Sequence, residues 1–194
     1  LRKFSIPVPF GITISSNGEL SNTKENLVRF PVIIKAQIHA GGRGEAGGIK
    51  IAKDMKELKA FSNEMLGMKL ITKQTNGEGK TIRTLLIEES IEKNKEFYLG
   101  ILVDRNSQKI VLMASEDGGV NIEKNKQSNP KSIRKILIDP CDGLTKNLLK
   151  QLTEFLNIND QETIKKFNVI AIQLYEAFNN LDATLAEINP LALT

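Results

Sequence analysis

The stretch from Lys35 to Gly48, Lys-Ala-Gln-Ile-His-Ala-Gly-Gly-Arg-Gly-Glu-Ala-Gly-Gly, constrains this chain more than any other. The apolar run Val32-Ile33-Ile34 leads into Lys35, five of the eight residues from Gly41 to Gly48 are glycine, and a second apolar run starts at Ile49. A loop so poor in Cβ atoms lets main-chain N–H groups approach a ligand closely, and successive N–H groups in a turn form a nest for an anion. Lys35 at its mouth and Arg43 within it add full positive charge, as a polyphosphate clamp requires. Gly42 to Gly47 also fits G-x-G-x-x-G, but that fingerprint works only where the loop opens a helix facing a pyrophosphate. Gly48 to Ala52 alternates with period two, so the loop opens a strand and predicts a hairpin flap. Gly79-Lys80-Thr81 fails as the tail of a Walker A motif, because Gln74 stands where its first glycine belongs.

With 194 residues the chain has length for one domain or for two small lobes. Its 27 basic and 23 acidic side chains give a net charge of +4, too even to argue for nucleic acid. An RNA-binding reading rests on Lys124, Lys126, Lys131, Arg134 and Lys135. Without Trp or interleaved aromatics to stack bases, a solvated basic face explains them better. No apolar run approaches the ~20 residues of a membrane helix, and the N-terminus lacks a signal-peptide pattern. Cys141 is the only cysteine, so no internal disulfide forms and a reducing compartment is compatible.

Periodicity predicts strands at 31–38 and 48–53, then a helix starting at Asp54 with Glu57 as capping-box partner and a Leu58, Phe61, Met65, Leu66 stripe. Further strands are expected at 69–74 and 81–88, joined through Asn76-Gly77-Glu78-Gly79. Tyr98–Val103 and Lys109–Ala114 flank a turn and read as a hairpin, broken by Glu116-Asp117-Gly118-Gly119. A polar loop at 124–131 precedes a strand from Ile133 to Ile138. Two amphipathic helices follow, one carrying Leu144 to Phe155 and one capped by Asp160. A last strand from Ala183 to Ile188 is closed by Asn189-Pro190. Residues 15–29 read as polar and irregular. The mix is α+β with hairpins rather than a regular βαβ alternation.

Two further clusters point to a nucleotide. Thr84 to Glu88 is an apolar strand ending in a carboxylate, and Glu96 follows just before Phe97. A strand end can offer main-chain groups to an adenine edge, and a carboxylate can accept both ribose hydroxyls. The bland alternative is a solvated acidic edge formed by Glu88, Glu89, Glu92 and Glu96. Glu187 and Asn189, two apart on a strand, point the same way and offer oxygens of the kind that suit Mg²⁺; alternatively they mark only a strand end. The single histidine, His39, sits at the lip of the glycine loop and suits a hydrogen-bonding role at its base.

Taken together, Lys35–Gly48, Glu96–Asp104, Met113–Glu123 and Ala186–Leu191 resemble the nucleotide-binding half of the β subunits of the succinyl-CoA synthetase family, which are ATP-grasp proteins. The resemblance runs over nearly the whole chain. It implies an ATP-grasp fold, two lobes with mainly antiparallel sheets flanking a nucleotide cleft. Residues 9–91 would form the small lobe with the flap, and 1–8 with 92–194 the larger lobe. Lys35 would bind the phosphates under Gly42, Arg43 and Gly44. Glu88 to Ile91 would be an interlobe strand beside adenine, and Glu96 would hold the ribose. Asn189 would ligate Mg²⁺, and Glu187 would lie near the phosphoryl group in transfer. The implied reaction is that of the tricarboxylic acid cycle: ATP (or GTP), succinate and CoA give succinyl-CoA, nucleoside diphosphate and phosphate. A histidine on a partner α subunit, which also carries much of the CoA site, holds the phosphoryl group. Pro9 resembles what ADP-forming members carry. A sister acid–CoA ligase, such as a malate–CoA ligase, is the alternative. The family's second metal ligand and its C-terminal domain would lie past Thr194, which implies no turnover by this stretch alone. The implied compartment is the bacterial cytoplasm or the mitochondrial matrix.

Overall fold

The computed structural model describes residues 1–22, 29–119, 122 and 129–194. The expected polar loop at 124–131 falls mostly outside these residues, as do Glu123, Lys124 and Lys126. The chain forms two compact units, Pro9–Glu92 and Leu1–Val8 together with Lys93–Thr194. Among the described residues no helix is long and apolar enough to cross a membrane.

Unit Pro9–Glu92 holds strands β1 (Gly11–Ile14), β2 (Val32–Gln37), β3 (Ile49–Ala52) and β6 (Thr84–Glu89), ordered β1-β6-β2-β3, every neighbour antiparallel. Val32, Ile34 and Ala36 are fully buried, and with Leu85 and Ile87 of β6 they form the face on which helix α2 (Met55–Met65) packs Leu58 and Met65. Each of these Val, Ile, Leu and Met side chains contributes about 1.5–3 kcal/mol on burial. Period two then sends Ile33, Lys35 and Gln37 to the opposite face. There the register sets Ile33 between Ile51 and Glu88, and Lys35 between Ile49 and Leu86. Ile49 and Ile51 remain 39% and 57% exposed, so this second face is an open mixture of aliphatic and charged groups.

The local signals behind α2 work nearly as expected. Asp54 accepts from the Glu57 N–H at 2.8 Å, but the Glu57 carboxylate reaches the Lys53 N–H at 2.8 Å, one residue outside the expected reciprocal box. On the helix-facing side of β3, Lys50 pairs with Glu64 and lies 4.9 Å over the Phe61 ring. Three expectations need correction. The polar segment after β1 starts a short helix, α1 (Asn17–Asn22), held at its entrance by Ser15 N–H and Ser16 Oγ donating to Glu19. The strand expected over 69–74 shrinks to β4 (Lys69–Leu70), and the one over 81–88 splits. Its first part, β5 (Lys80–Thr81), pairs with β4, and the rest becomes β6 in the main sheet. The cause lies in two threonines: Thr72 N–H donates to Thr75 Oγ1 at 2.8 Å, and Thr75 Oγ1 to Thr72 O at 3.0 Å. Such local bonds win over a strand ladder.

The other unit is a sheet ordered β10-β7-β8-β9, built from β7 (Lys95–Asp104), β8 (Lys109–Ser115), β9 (Ile133–Ile138) and β10 (Leu185–Leu193). Helices α3 (Lys146–Phe155) and α4 (Gln161–Asn180) bury Leu149, Leu152, Phe167, Ala171 and Leu174 in the core formed by Leu99, Ile101, Leu112 and Ala114. Thr145 and Asp160 cap these helices. Ile6, 2% exposed, joins the same core, which ties the first residues to this unit. Asn189-Pro190 does not close the last strand. β10 continues to Leu193 across a register shift between Ile188 and Leu191. As an edge strand it tolerates a residue without an N–H.

Candidate functional site

In the unit Pro9–Glu92, β2 and β3 form the expected hairpin, with Lys35 opposite Ile49. The glycine loop between them is not an open ribbon. Ala46, Gly47 and Gly48 donate to Gly42 O, Gly44 O and Arg43 O, which winds residues 43–47 into helix-like turns. No oxygen among the described residues accepts from the N–H groups of Arg43, Gly44 and Glu45. Three consecutive open donors at the start of a turn are the arrangement that binds an anion. Gly42 and Gly47 supply the positive φ angles, 72° and 80°, that the winding needs.

Two other segments hold the base of this loop. Arg43 folds back and donates from Nη1 to Ala36 O at 2.7 Å, so part of its donor fork is committed to β2. From the Thr72–Thr75 turn, Gln74 Oε1 accepts from the Gly41 N–H at 2.7 Å, and Lys73 pairs with Glu45 at 3.2 Å. The loop-base hydrogen bonds come from Arg43 and Gln74, not from His39, whose side chain is exposed. Gln74 was visible in the sequence only as the residue that spoils a Walker motif. Gln74→Ala should leave the fold intact, cost about 1 kcal/mol or less in thermal unfolding, and increase amide exchange at Gly41 and Gly42.

The Lys35 ammonium pairs with the Glu88 carboxylate, their side chains 24% and 12% exposed. Glu88 thus meets the lysine on the open sheet face. β6 ends at Glu89, so Ile91, 38% exposed, lies beyond the strand expected to run through it.

In the second unit β7 carries Glu96, β10 carries Glu187 and Asn189, and the segment after β8 lies beside Glu96 and Asn189. Glu96 pairs with Lys93, and an added Cβ at Gly119 would stand 3.2 Å from its Oε2. The N–H of Gly119 donates to Asn189 Oδ1 at 2.6 Å. Beside them is a pocket of about 290 Å³ lined by Lys93 to Glu96 and by Glu116 to Gly118. Burial alone would push the Glu116 carboxyl up, but hydrogen bonds from Lys95 and Asn157, with the Lys95 charge, hold it below the usual range.

Glu187 and Asn189 are both exposed on the same side of β10, as the spacing requires. Glu187 Oε2 accepts from the Tyr98 hydroxyl at 3.1 Å. Glu187 retains a second oxygen, and the Asn189 amide oxygen a second lone pair. One carboxylate plus one amide suits Mg²⁺, which takes few protein oxygens and keeps waters and phosphate oxygens. Tyr98 and Gly119 escaped the sequence reading because their partners are distant along the chain.

An ATP-grasp domain model matches residues 1–193. The succinate–CoA ligase (ADP-forming) subunit beta of Bacillus subtilis (strain 168) is 43% identical over all 194 residues, and the chain spans about half, 50%, of that relative's length. Among solved structures, the ATP citrate lyase of Methanothrix soehngenii, in complex with citrate and coenzyme A, superposes with a TM-score of 0.68 at 19% identity. That match covers 100% of this chain and 43% of the lyase. The Ca. Korarchaeum cryptofilum dinucleotide forming acetyl-coenzyme A synthetase 1, in complex with coenzyme A, Ca-AMPCP and HgCl+, gives 0.66 at 17% identity, over 98% of this chain and 82% of that one. At such identities the two structures speak for the fold alone. The mixed α/β units with antiparallel sheets, the glycine-loop hairpin and a family match over residues 1–193 agree: the chain belongs to the ATP-grasp family.

Proposed function

We propose that this chain is the nucleotide-binding part of the β subunit of a succinate–CoA ligase. The proposed reaction turns ATP, succinate and CoA into succinyl-CoA, ADP and phosphate. The observation that carries the reading is the wound glycine turn, which leaves three successive N–H groups open beside an arginine anchored at its base. Identity of 43% through all 194 residues to a named β subunit supports the substrate assignment. In this reading Pro9–Glu92 is the small ATP-grasp lobe, and the rest is part of the larger one. Lys35 and the open N–H groups of Arg43, Gly44 and Glu45, in the turn that Gly42 starts, bind phosphate oxygens, while β6 and the segment through Ile91 flank the base. Glu96 exchanges its Lys93 partner for the ribose hydroxyls. Mg²⁺ supplies charge neutralisation at the phosphates, held by Asn189. Glu187 faces the phosphoryl group as it moves to a histidine of a partner α subunit, which carries the CoA site. Such transfer relies on positioning and electrostatics more than on covalent help from the nucleotide-binding lobe.

Calorimetry with Mg·ATP and Mg·GTP tests the reading. The chain should bind one of them, and Glu96→Ala should weaken binding about tenfold, the equivalent of about 1.4 kcal/mol for lost bonds to a charged acceptor. Absence of heat with both nucleotides, or unchanged affinity in the variant, contradicts it. An acid panel with the complete two-subunit enzyme then separates succinate from malate.

A further inference from the structure

We propose that Tyr98 is a positioning residue for phosphoryl transfer, its phenol fixing the Glu187 carboxylate through a space that Gly100 leaves open. This rests on the function proposed above and deepens it. Tyr98 and Gly100 lie two apart on β7 and share a face, and Glu187 of β10 is the register partner of Gly100. The tyrosine side chain folds along its own strand across Gly100. A Cβ at that glycine would stand 2.5 Å from the phenol oxygen and 2.9 Å from Cζ. The hydroxyl therefore fills the volume of a missing side chain, which brings it within 3.1 Å of Glu187 Oε2.

The two partners differ in freedom. Tyr98 is 1% exposed and packs with Val111, Met113 and Ile122, so the sheet core sets its position. Glu187 is an exposed residue on an edge strand, with rotamers to lose. A bond from the fixed group to the free one selects a single carboxylate orientation and leaves Oε1 to face a ligand. Burial, then the Glu187 charge and the hydrogen bond, hold the Tyr98 phenol far above the usual tyrosine range, so it remains a neutral donor. A buried tyrosine needs a partner for its O–H in any case. If that were the whole role, removing the hydroxyl would alter stability and nothing else.

The test uses the complete two-subunit enzyme and follows phosphohistidine formation from Mg·ATP. Tyr98→Phe, which keeps the ring, should lower kcat about tenfold while KM for ATP stays within twofold. Gly100→Ala, which displaces the phenol, should give the same split. In a double-mutant cycle, Tyr98→Phe on a Glu187→Ala background should add no further loss, because the hydroxyl acts through that carboxylate. A wild-type kcat in Tyr98→Phe, with or without a changed melting temperature, overturns the proposal, as does an additive cycle. If Gly100→Ala does not fold, Tyr98→Phe and the cycle decide. An unsubstituted enzyme that forms no phosphohistidine removes the parent reading and this one together, whereas normal formation with silent variants removes this one alone.

Discussion

Lys35→Ala should raise the dissociation constant for Mg·ATP on the order of a hundredfold, whereas Glu88→Gln should leave it unchanged or lower it. The two residues form one ion pair, half-buried on the open face of β2 and β6. If lysine were only the counter-ion of Glu88, either substitution would leave one partner unpaired, and any effect on the nucleotide would be indirect and similar for both. A phosphate-binding role predicts divergence. An ammonium donating to phosphate oxygens forms charge-assisted bonds worth about 1.5–3 kcal/mol each, and two at the lower end exceed the ~2.7 kcal/mol that a hundredfold change requires. In that role Glu88 would oppose the ligand, since a triphosphate would have to draw the ammonium away from it. Gln at that position removes the competitor and a repulsive charge while retaining the shape. Calorimetry on both variants measures the asymmetry, and thermal unfolding should show a loss of about 1 kcal/mol or less in each, the scale of a partly exposed pair. Equal weakening by the two substitutions would reduce Lys35 to a structural counter-ion.

What the sequence made legible follows the range of the interactions involved. Asp54 and Asp160 cap helices through bonds spanning three residues, and both were readable. The period-two run after Gly48 distinguished a hairpin from a helix-opening loop, because alternation is itself local. The strand expected over 69–74 fails for an equally local reason: the Thr75 hydroxyl bonds both the N–H and the C=O of Thr72, a competition that propensity does not weigh. Asn189-Pro190 misleads because proline stops a central strand but not an edge strand, and strand order is a tertiary property. Residue types at the candidate site were readable, but their partners were not. Tyr98 reaches Glu187 across 89 residues and Gln74 reaches Gly41 across 33, through contacts that exist only once the chain has folded. Nothing local to Gly100 signals the phenol that the folded strand lays across it.

Gly118→Ala should be the most damaging small change near the pocket. Its Cβ would stand 2.5 Å from Phe97 O, 2.9 Å from Phe97 C and 3.1 Å from Phe97 N. All three are backbone atoms of β7, which is hydrogen-bonded to β8 on one side and β10 on the other, and the Phe97 side chain is 3% exposed in the core. Nothing there can swing aside as a side-chain tip would, so the segment after β8 must lift. Lifting it breaks the 2.6 Å bond from the Gly119 N–H to Asn189 Oδ1 and the 3.0 Å pair of Lys95 with Glu116, and removes the wall beside Glu96. Overpacking of this kind costs about 3 kcal/mol, at the upper end for one added methyl because backbone opposes it. For a chain of this size that is a fall in Tm of roughly 6–12 °C. Gly77→Ala is the matched control. Nothing lies within 4 Å of an added Cβ there, so its stability should stay within about 0.5 kcal/mol of the unsubstituted chain. Mg·ATP affinity should fall with Gly118→Ala and not with Gly77→Ala, because only the first disturbs Asn189 and the surroundings of Glu96. Two variants that melt together would mean that residues 116–119 do not rest on β7, and the proposed contribution of this segment to the nucleotide site would fall with that contact.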